Sequence, residues 1–238
     1  MNTNVSTKGP RETPGASGAA AKRKWQVIAQ FLFIVAILTI TSGRLNWVWL
    51  WAYIIVSIGI LVINMLVLPA ELIAERGQPR ANVKRWDRML TTMSILPTLG
   101  SLIVTGLDER FEWSPPQATA IHLLGLTLLV LGQLLFTWAM VSNPFFSTAV
   151  RIQMDRGHTA ATGGPYRCVR HPGYAAYIVS VLATPLIFGS LWALVPAAIT
   201  GILFIVRTGL EDKTLLQELD GYKEYAQRVR YRLVPPIW

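Results

Sequence analysis

The feature that most constrains this chain is a series of long apolar runs. A membrane-spanning helix needs about 20 mostly apolar residues, and four runs meet or approach that length: residues 25–41, 47–68, 89–107 and 119–141. The third run is the weakest, because Pro97 and Gly100 interrupt it. Of the 238 residues, 52% are apolar and only 15% are charged, which is too apolar for an ordinary soluble domain. The runs predict an integral membrane protein that crosses the bilayer several times.

A fifth apolar tract, residues 174–206, is too long for a single span. Its 33 residues would extend ~50 Å as one helix, against a hydrocarbon core of ~30 Å. Pro185, Gly189 and Ser190 supply a break at which the chain can fold back. The predicted fold class is therefore all-α, with four spans followed by a helical hairpin. Leucines and Tyr222 recur at helical spacing beyond the tract, which predicts that the second arm continues into the carboxyl-terminal tail.

The basic residues predict the orientation of the chain. Lys and Arg cluster in the amino-terminal tail, in the loop after the second run and in the loop after the fourth, whereas the other loops are poor in them or acidic. This alternation places both termini in the cytoplasm, in our expectation the cytoplasm of a bacterium. Lys22, Arg23 and Lys24 precede the first run as in a signal sequence, but no small-x-small cleavage site follows, which predicts a retained span.

The chain divides into three parts on these grounds. Residues 1–24 are rich in Gly, Ala, Thr and Pro, so we expect a disordered basic tail. Residues 25–117 form the amino-terminal spans, and residues 118–238 form a core made of a span, a loop, the hairpin and the tail. At the start of the second span, rings at Trp47, Trp49, Trp51 and Tyr53 are expected to anchor it in the headgroup layer. His122 is expected to form a hydrogen bond between helices.

Composition and motifs exclude several kinds of site. The net charge of +9 suits nucleic acid or an anionic membrane surface, and the apolar runs favour the membrane and its lipids, with no nucleic acid. Cys168 is the single cysteine, so neither an internal disulfide nor a cysteine cluster for zinc is available. His158 and His171, with Asp155, match no compact zinc spacing, and we expect no metal. Glycine-rich fingerprints of nucleotide-binding folds are absent.

The stretch "GGPYRCVRHPGY", residues 163–174, carries polar rings and charges directly before the hairpin. Its charges and rings are consistent with simple interfacial residues. Arg207 and Glu211, which are one helical turn apart, are likewise consistent with a solvated ion pair. Two glycines and two prolines, however, restrict the backbone strictly, which is typical of a binding loop. Pro172 suits a first helical turn, and the amide groups of Gly173 and Tyr174 are then expected to be available to a carboxylate.

Three segments carry a resemblance: "GHTAATGGPYRCVRHPGY", then "RTGLEDKTL", then "GYKEYAQRVRYRLVPPIW". Together they resemble the isoprenylcysteine carboxyl methyltransferase family and its bacterial relatives, which share this pattern with phospholipid methyltransferases. The resemblance covers about the last hundred residues and implies a membrane methyltransferase that uses S-adenosylmethionine without a Rossmann domain. The family's eukaryotic members have additional spans, which gives less support to a prenylated protein as the acceptor here.

The resemblance also implies roles for individual residues. Arg207 corresponds to the arginine that contacts the methyl acceptor. Asp212 stands where eukaryotic members have a second glutamate, so its role is left open. The residues implied to line a cytoplasmic cofactor pocket, formed by the last loop and the tail, are Gln153, His158, Thr159, Ala160, Ala161, Tyr166, His171, Pro172, Gly173, Tyr174 and Glu211.

Three functions follow from this reading. The favoured one is methyl transfer to the carboxylate of a lipophilic small molecule or lipid, because Arg207 offers a planar fork suited to a carboxylate, which is already ionised and needs no base. The second is N-methylation of a phospholipid or another amine. The third is a sterol-type membrane reductase that uses NADPH. A transporter would be expected to carry charges within its spans, and these spans carry almost none.

Overall fold

The computed structural model describes residues 16–76 and 83–238, and within them it is helical. Two single 3-10 turns, Met154–Arg156 and Gly164–Arg167, interrupt the long loop after the fourth long helix. The α-helices, in chain order, are α1 (Ala16–Ser42), α2 (Val48–Val67), α3 (Ala70–Arg76), α4 (Arg85–Phe111), α5 (Thr119–Val141), α6 (Pro172–Phe188), α7 (Leu194–Glu218) and α8 (Tyr222–Arg228).

Five of these helices, α1, α2, α4, α5 and α7, are long and apolar enough to cross a membrane. Helix α6 is apolar but has 17 residues, or about 25 Å of helix. Large apolar side chains such as Ile40, Leu66 and Leu96 point outward and are more than 70% exposed, which suits a lipid-facing surface. The predicted all-α integral membrane protein is confirmed.

The helix bounds differ from the predicted spans in two places. Helix α4 runs from Arg85 to Phe111, so Pro97 and Gly100 do not break it. Residues 16–24 were predicted to be disordered, and this was wrong, because they form the first turns of α1. Alanine has the highest helix propensity, and the run of alanines up to Ala21 allows α1 to extend in front of its apolar stretch. The rest of the predicted tail lies outside the described residues.

Small residues hold α5 and α6 close together. A methyl group added at Gly125 would lie 2.5 Å from the backbone nitrogen of Ile187, and one added at Gly132 would lie 2.7 Å from Oγ of Ser180. Lipid tails are as apolar as leucine, so membrane helices associate mainly through close packing of this kind. His122 of α5 bonds through Nδ1 to the carbonyl of Ile187 at 2.9 Å, which confirms the predicted bond between helices.

The rings at the start of α2 do not form a simple interfacial belt. Trp47 and Tyr53 are buried against Phe188, and Trp49 stacks on His122 at 4.3 Å between ring centroids. Trp51 is half exposed and is consistent with anchoring. The anchoring prediction was therefore wrong for Trp47 and Tyr53, because Phe188 at the end of α6 packs against both rings and they are buried.

The hairpin and the tail bring the chain back to its polar loop. Gly189 ends α6 with φ +71°, a conformation that favours glycine, and α7 then continues to Glu218 as predicted. After α8 the tail pairs with the residues before α6, because Arg170 and His171 donate backbone hydrogen bonds to the carbonyls of Tyr231 and Arg232, both at 2.9 Å. Lys84, just before α4, bonds Glu218 at 2.7 Å at the same end of the bundle. The loops predicted to be cytoplasmic thus meet in one place.

Candidate active site

The loop between α5 and α6 folds over the end of the bundle and is braced from within. Gln153 is buried and donates through Nε2 to the carbonyl of Phe145 at 2.7 Å. Its backbone nitrogen donates to Nδ1 of His158 at 3.3 Å. Gly164 has φ +53° and packs so closely on Ser142 and Trp138 that a side chain would not fit. The predicted tight turn is present, and it fixes the loop against α5.

A cavity of about 250 Å³ lies between this loop, the start of α6, the carboxyl-terminal half of α7 and the tail. This volume is close to the lower end of the range of roughly 300–1,000 Å³ common for ligand sites. Eleven of the twelve residues that the sequence predicted for the site line it: Gln153, His158, Thr159, Ala160, Ala161, Tyr166, His171, Gly173, Tyr174, Arg207 and Glu211.

Pro172 is the exception. Its side chain is fully buried and begins α6 without lining the cavity. The expectation that the helix start receives a carboxylate stays a prediction, and the structure leaves it to the amide of Gly173 alone. The amide of Tyr174 already donates to the carbonyl of His171 at 3.1 Å, and the ring of Phe146 lies so close to Gly173 that a methyl group there would be 2.7 Å from it. An aromatic ring therefore covers this helix start.

Glu211 faces the cavity with a single tyrosine as its partner. The hydroxyl of Tyr174 donates a short hydrogen bond to Oε2 of Glu211. The rings of Tyr174 and Phe204 pack edge to face at 5.9 Å, and Tyr177 lies 4.2 Å from Phe204 on the other side. A carboxylate held by one donor keeps acceptor capacity for further partners. The wall thus combines negative charge with aromatic rings, and the cation that lies over the rings of Tyr174 and Phe204 is the guanidinium of Arg207, at 5.1 and 5.4 Å.

Arg207 is buried and pairs with a carboxylate that the sequence analysis missed. Its Nε donates to Oδ1 of Asp87 at 2.6 Å, and its Nη2 donates to the carbonyl of Thr148 at 3.0 Å. The guanidinium lies 5.1 Å from the centroid of the Tyr174 ring. Among the described residues no hydrogen bond is found for Nη1. The solvated pair with Glu211 considered from the sequence was wrong, since burial and α4 supply a different partner.

Asp212, the residue with no assigned role, is the centre of a buried cluster. Arg170 binds it through two nitrogens, at 2.7 and 2.8 Å, and Arg232 donates to it at 2.8 Å. Tyr222 donates to it at 3.0 Å, and Nε2 of His171 lies 3.2 Å away. Burial by itself would lower the pKa of Arg170, but the hydrogen bonds and charge of Asp212 raise it. The cluster joins the loop, α7 and the tail behind the wall of the cavity.

Two titratable rings in the loop stay neutral at physiological pH. Burial, together with the charges of Arg151 and Arg156, lowers the pKa of His158 to about 4. Burial raises the pKa of Tyr166, whose hydroxyl accepts a hydrogen bond from Asn143 at 3.3 Å. Both groups line the cavity and offer polar atoms without charge. The charged groups of this wall are therefore carboxylates and arginines.

Three lining or supporting residues had no signal in the motifs: Arg76, Asp87 and Phe146. Arg76 ends α3 and Asp87 lies in the first turn of α4, and the sequence analysis used only the basic residues of this region. An aspartate among basic residues was the one available hint, because a carboxylate that becomes buried needs a cation.

These features define a class: an all-helical membrane protein with a polar, aromatic-lined cavity at one end of its bundle. Residues 123–217 match the model of the isoprenylcysteine carboxyl methyltransferase family. The family resemblance predicted from the sequence is therefore confirmed for this part of the chain.

Two curated relatives illustrate the extent of the similarity. The chain is 31% identical over 108 residues to protein-S-isoprenylcysteine O-methyltransferase B of Arabidopsis thaliana, which covers 44% of this chain and 55% of the relative. It is 31% identical over 107 residues to protein-S-isoprenylcysteine O-methyltransferase of Schizosaccharomyces pombe, covering 44% and 45%. The chain thus matches about half the length of these relatives.

Proposed function

We propose that the protein is an S-adenosylmethionine-dependent methyltransferase that methylates the carboxylate of a lipophilic acceptor in the membrane. The observation that carries the proposal is the convergence on one cavity of eleven predicted residues from two separate segments, 153–174 and 207–211. The match of residues 123–217 to the methyltransferase family supports it independently. Residues 118–238 would form the catalytic core, and the helices before them would complete the membrane domain.

The residues present fit a cofactor with positive charge. Glu211 has acceptor capacity for the ammonium or ribose of S-adenosylmethionine, and the aromatic lining of the cavity includes Tyr177, whose ring could face a sulfonium. When bound, this cofactor supplies a methyl group on a positively charged sulfur, which leaves as a neutral thioether after transfer. The chain's own task is to orient the two partners and exclude water, for which a buried, aromatic-lined cavity is suited.

Arg207 is the residue that we propose orients the acceptor. Asp87 and Thr148 hold the guanidinium in place through Nε and Nη2, and Nη1 is left to bind an oxygen of the acceptor. The surrounding walls from α6 and α7 are apolar and aromatic, in keeping with a lipophilic substrate. Part of the charge of Arg207 is offset by Asp87, so this residue acts through geometry as much as through charge.

The availability of bases favours O-methylation over N-methylation. An ammonium acceptor must lose a proton before it can react, and the acidic or basic residues near Arg207 are Asp87, Glu211, Asp212 and His171. Asp87 already accepts hydrogen bonds from Arg207 and from the backbone nitrogen of Val150. Asp212 already has five polar contacts, and His171 binds Asp212. Glu211 is proposed to hold the cofactor. A carboxylate acceptor is ionised at neutral pH and needs none of them.

The direct test is calorimetry of the purified protein in lipid or detergent with S-adenosylmethionine and with NADPH. Binding of S-adenosylmethionine and not of NADPH is expected. Tighter binding of NADPH would refute the proposed methyltransferase and indicate a membrane reductase. A second assay extracts the methylated product from membranes: a base-labile ester supports a carboxylate acceptor, and a base-stable amine would overturn it in favour of N-methylation.

We propose further that both termini lie in the cytoplasm of a bacterium, which would place the cavity where S-adenosylmethionine is made. Cysteine labelling at the amino-terminal tail and after Trp238 tests this, in a background where Cys168 is replaced by serine because that side chain is exposed. Labelling of either end by a reagent confined to the outer face would refute the proposed orientation.

A further inference from the structure

Four arginines of the described part of the chain line the cavity, and one of them differs from the others in its partners. The paired ones are Arg151, which binds Glu75 and Asp155, Arg170, which binds Asp212, and Arg207, which binds Asp87. The fourth is Arg76, the last residue of α3. Within residues 16–76 and 83–238 no carboxylate lies within ion-pair distance of Arg76. It is the lining arginine whose charge the described chain leaves uncompensated.

Aromatic rings and a sulfur atom surround Arg76. Its guanidinium lies 5.5 Å from the ring centroid of Phe136 and 5.1 Å from that of Phe146, and Nη1 donates to the sulfur of Met140. Contacts with ring faces leave the N–H groups at the edge of the guanidinium available. For Nε and Nη2 no hydrogen bond is found among the described residues. Arg76 therefore presents donors and positive charge to the cavity.

A purely structural role does not account for this placement. The carboxyl end of α3 and the two rings attract a cation, but such contacts offset only part of the cost of withdrawing a guanidinium from water. Burial and the nearby charge of Arg23 lower the pKa of Arg76 to about 10, so the side chain is still charged at pH 7. A charged side chain with donors that are free among the described residues, at the wall of a cavity, is suited to bind an anionic ligand.

The position of Arg76 indicates which anion. S-adenosylmethionine carries an α-carboxylate, and the start of α6 offers it little, because the amide of Tyr174 is bonded and the ring of Phe146 packs against Gly173, whose single amide is left. Arg76 lies beside the ring of Phe146, with its guanidinium 5.1 Å from the ring centroid. Arg207 is proposed to hold the acceptor and has Asp87 as a partner. Arg76 is the remaining arginine for the cofactor.

We infer that Arg76 binds the α-carboxylate of S-adenosylmethionine through its free guanidinium nitrogens, while Glu211 and the tyrosines bind the rest of the molecule. The inference rests on the proposed function and extends it. Arg76 precedes residues 123–217, the segment that matches the family model, so the match itself assigns it no role.

The experiment compares S-adenosylmethionine with its decarboxylated analogue, which lacks only the carboxylate, by calorimetry on wild type and Arg76→Gln. Wild type is expected to bind the intact molecule about tenfold to a hundredfold more tightly than the analogue, the size of a charge-assisted hydrogen bond. Arg76→Gln should bind the two ligands about equally, because it weakens binding of the intact molecule and leaves the analogue unaffected. Arg76→Lys, which keeps the charge and loses the fork, should fall between them.

Arg88→Gln is the matched control, because Arg88 is exposed near the start of α4 and does not line the cavity. It should bind both ligands as wild type does. Equal binding of the two ligands by wild type would overturn the inference even if Arg76→Gln fails to fold. So would an Arg76→Gln protein with normal affinity for S-adenosylmethionine and a raised KM for the acceptor. Absence of any S-adenosylmethionine binding by wild type would refute the proposed function as well.

Discussion

Two neighbouring acids on α7, Glu211 and Asp212, face different regions of the molecule. Asp212 points away from the cavity into a cluster where two arginines, a histidine and a tyrosine contact its carboxylate. Glu211 points into the cavity, where the one hydrogen bond found is from Tyr174. Successive residues of a helix are about 100° apart, so similar side chains meet opposite surroundings. A saturated carboxylate stabilises the fold, and a carboxylate with spare capacity is available to a ligand.

The largest effect is expected on stability, from removal of the Asp212 carboxylate. Asp212→Ala leaves Arg170 and Arg232 buried or partly buried without their counter-ion, which should cost about 3–5 kcal/mol of unfolding free energy. Thermal unfolding in a fixed detergent measures it. Glu218→Ala is the control on the same helix, since its pair with Lys84 is largely solvated, and should cost less than about 1 kcal/mol. Equal stability of the two variants would refute the structural role of Asp212.

Substitution of Glu211 or of its partner Tyr174 should change ligand affinity rather than stability. Glu211→Ala and Tyr174→Ala are each expected to weaken S-adenosylmethionine binding by roughly 1–3 kcal/mol, because each leaves a polar partner unsatisfied. Calorimetry measures the affinity, and unfolding of the same samples shows whether the fold is kept. Wild-type affinity in folded Glu211→Ala protein would mean that the open carboxylate is not the cofactor's partner.

A smaller and more selective effect is expected at Arg207. Arg207→Lys keeps the positive charge and loses the planar fork that bonds Asp87 and Thr148 while leaving Nη1 free. The kcat/KM for the acceptor should fall about tenfold or more, which corresponds to a loss of about 1.4 kcal/mol or more of transition-state stabilisation. The dissociation constant of S-adenosylmethionine should change much less. A parallel loss of both would show that Arg207 serves the pocket as a whole.

The smallest effect at neutral pH is that of His158 on stability, because it depends on a decrease in pH. The folded-state pKa of His158 is about 4, below the ordinary value of about 6.5 that applies to the unfolded chain. Between these values the unfolded state takes up a proton that the folded state does not, so His158 makes stability fall as pH decreases from about 6.5 to about 4. His158→Gln should show a shallower decrease in Tm over that range. S-adenosylmethionine affinity should not change between pH 7 and 8 through this residue, since it is neutral throughout.

The sequence by itself determined the architecture and most of the constituents of the cavity. Span length, the break at Gly189 and the continuation of α7 follow from local composition and from the length of a helix that a bilayer accepts, which do not depend on distant residues. The site residues came from contiguous motifs, and their convergence followed from a hairpin that returns the chain to its starting face.

Only the tertiary structure decided which charges are paired. Asp87 and Arg207 are 120 residues apart, and no local pattern links them. The roles of Glu211 and Asp212 depend on which helix face packs against the tail. The position of Phe146 decides what lies against the start of α6, and the exposure of Arg76 to the cavity depends on α3 packing against α1 and ending near α5. Electrostatic partners are set by distances of a few ångströms between separate elements, and such distances exist only once the helices have packed.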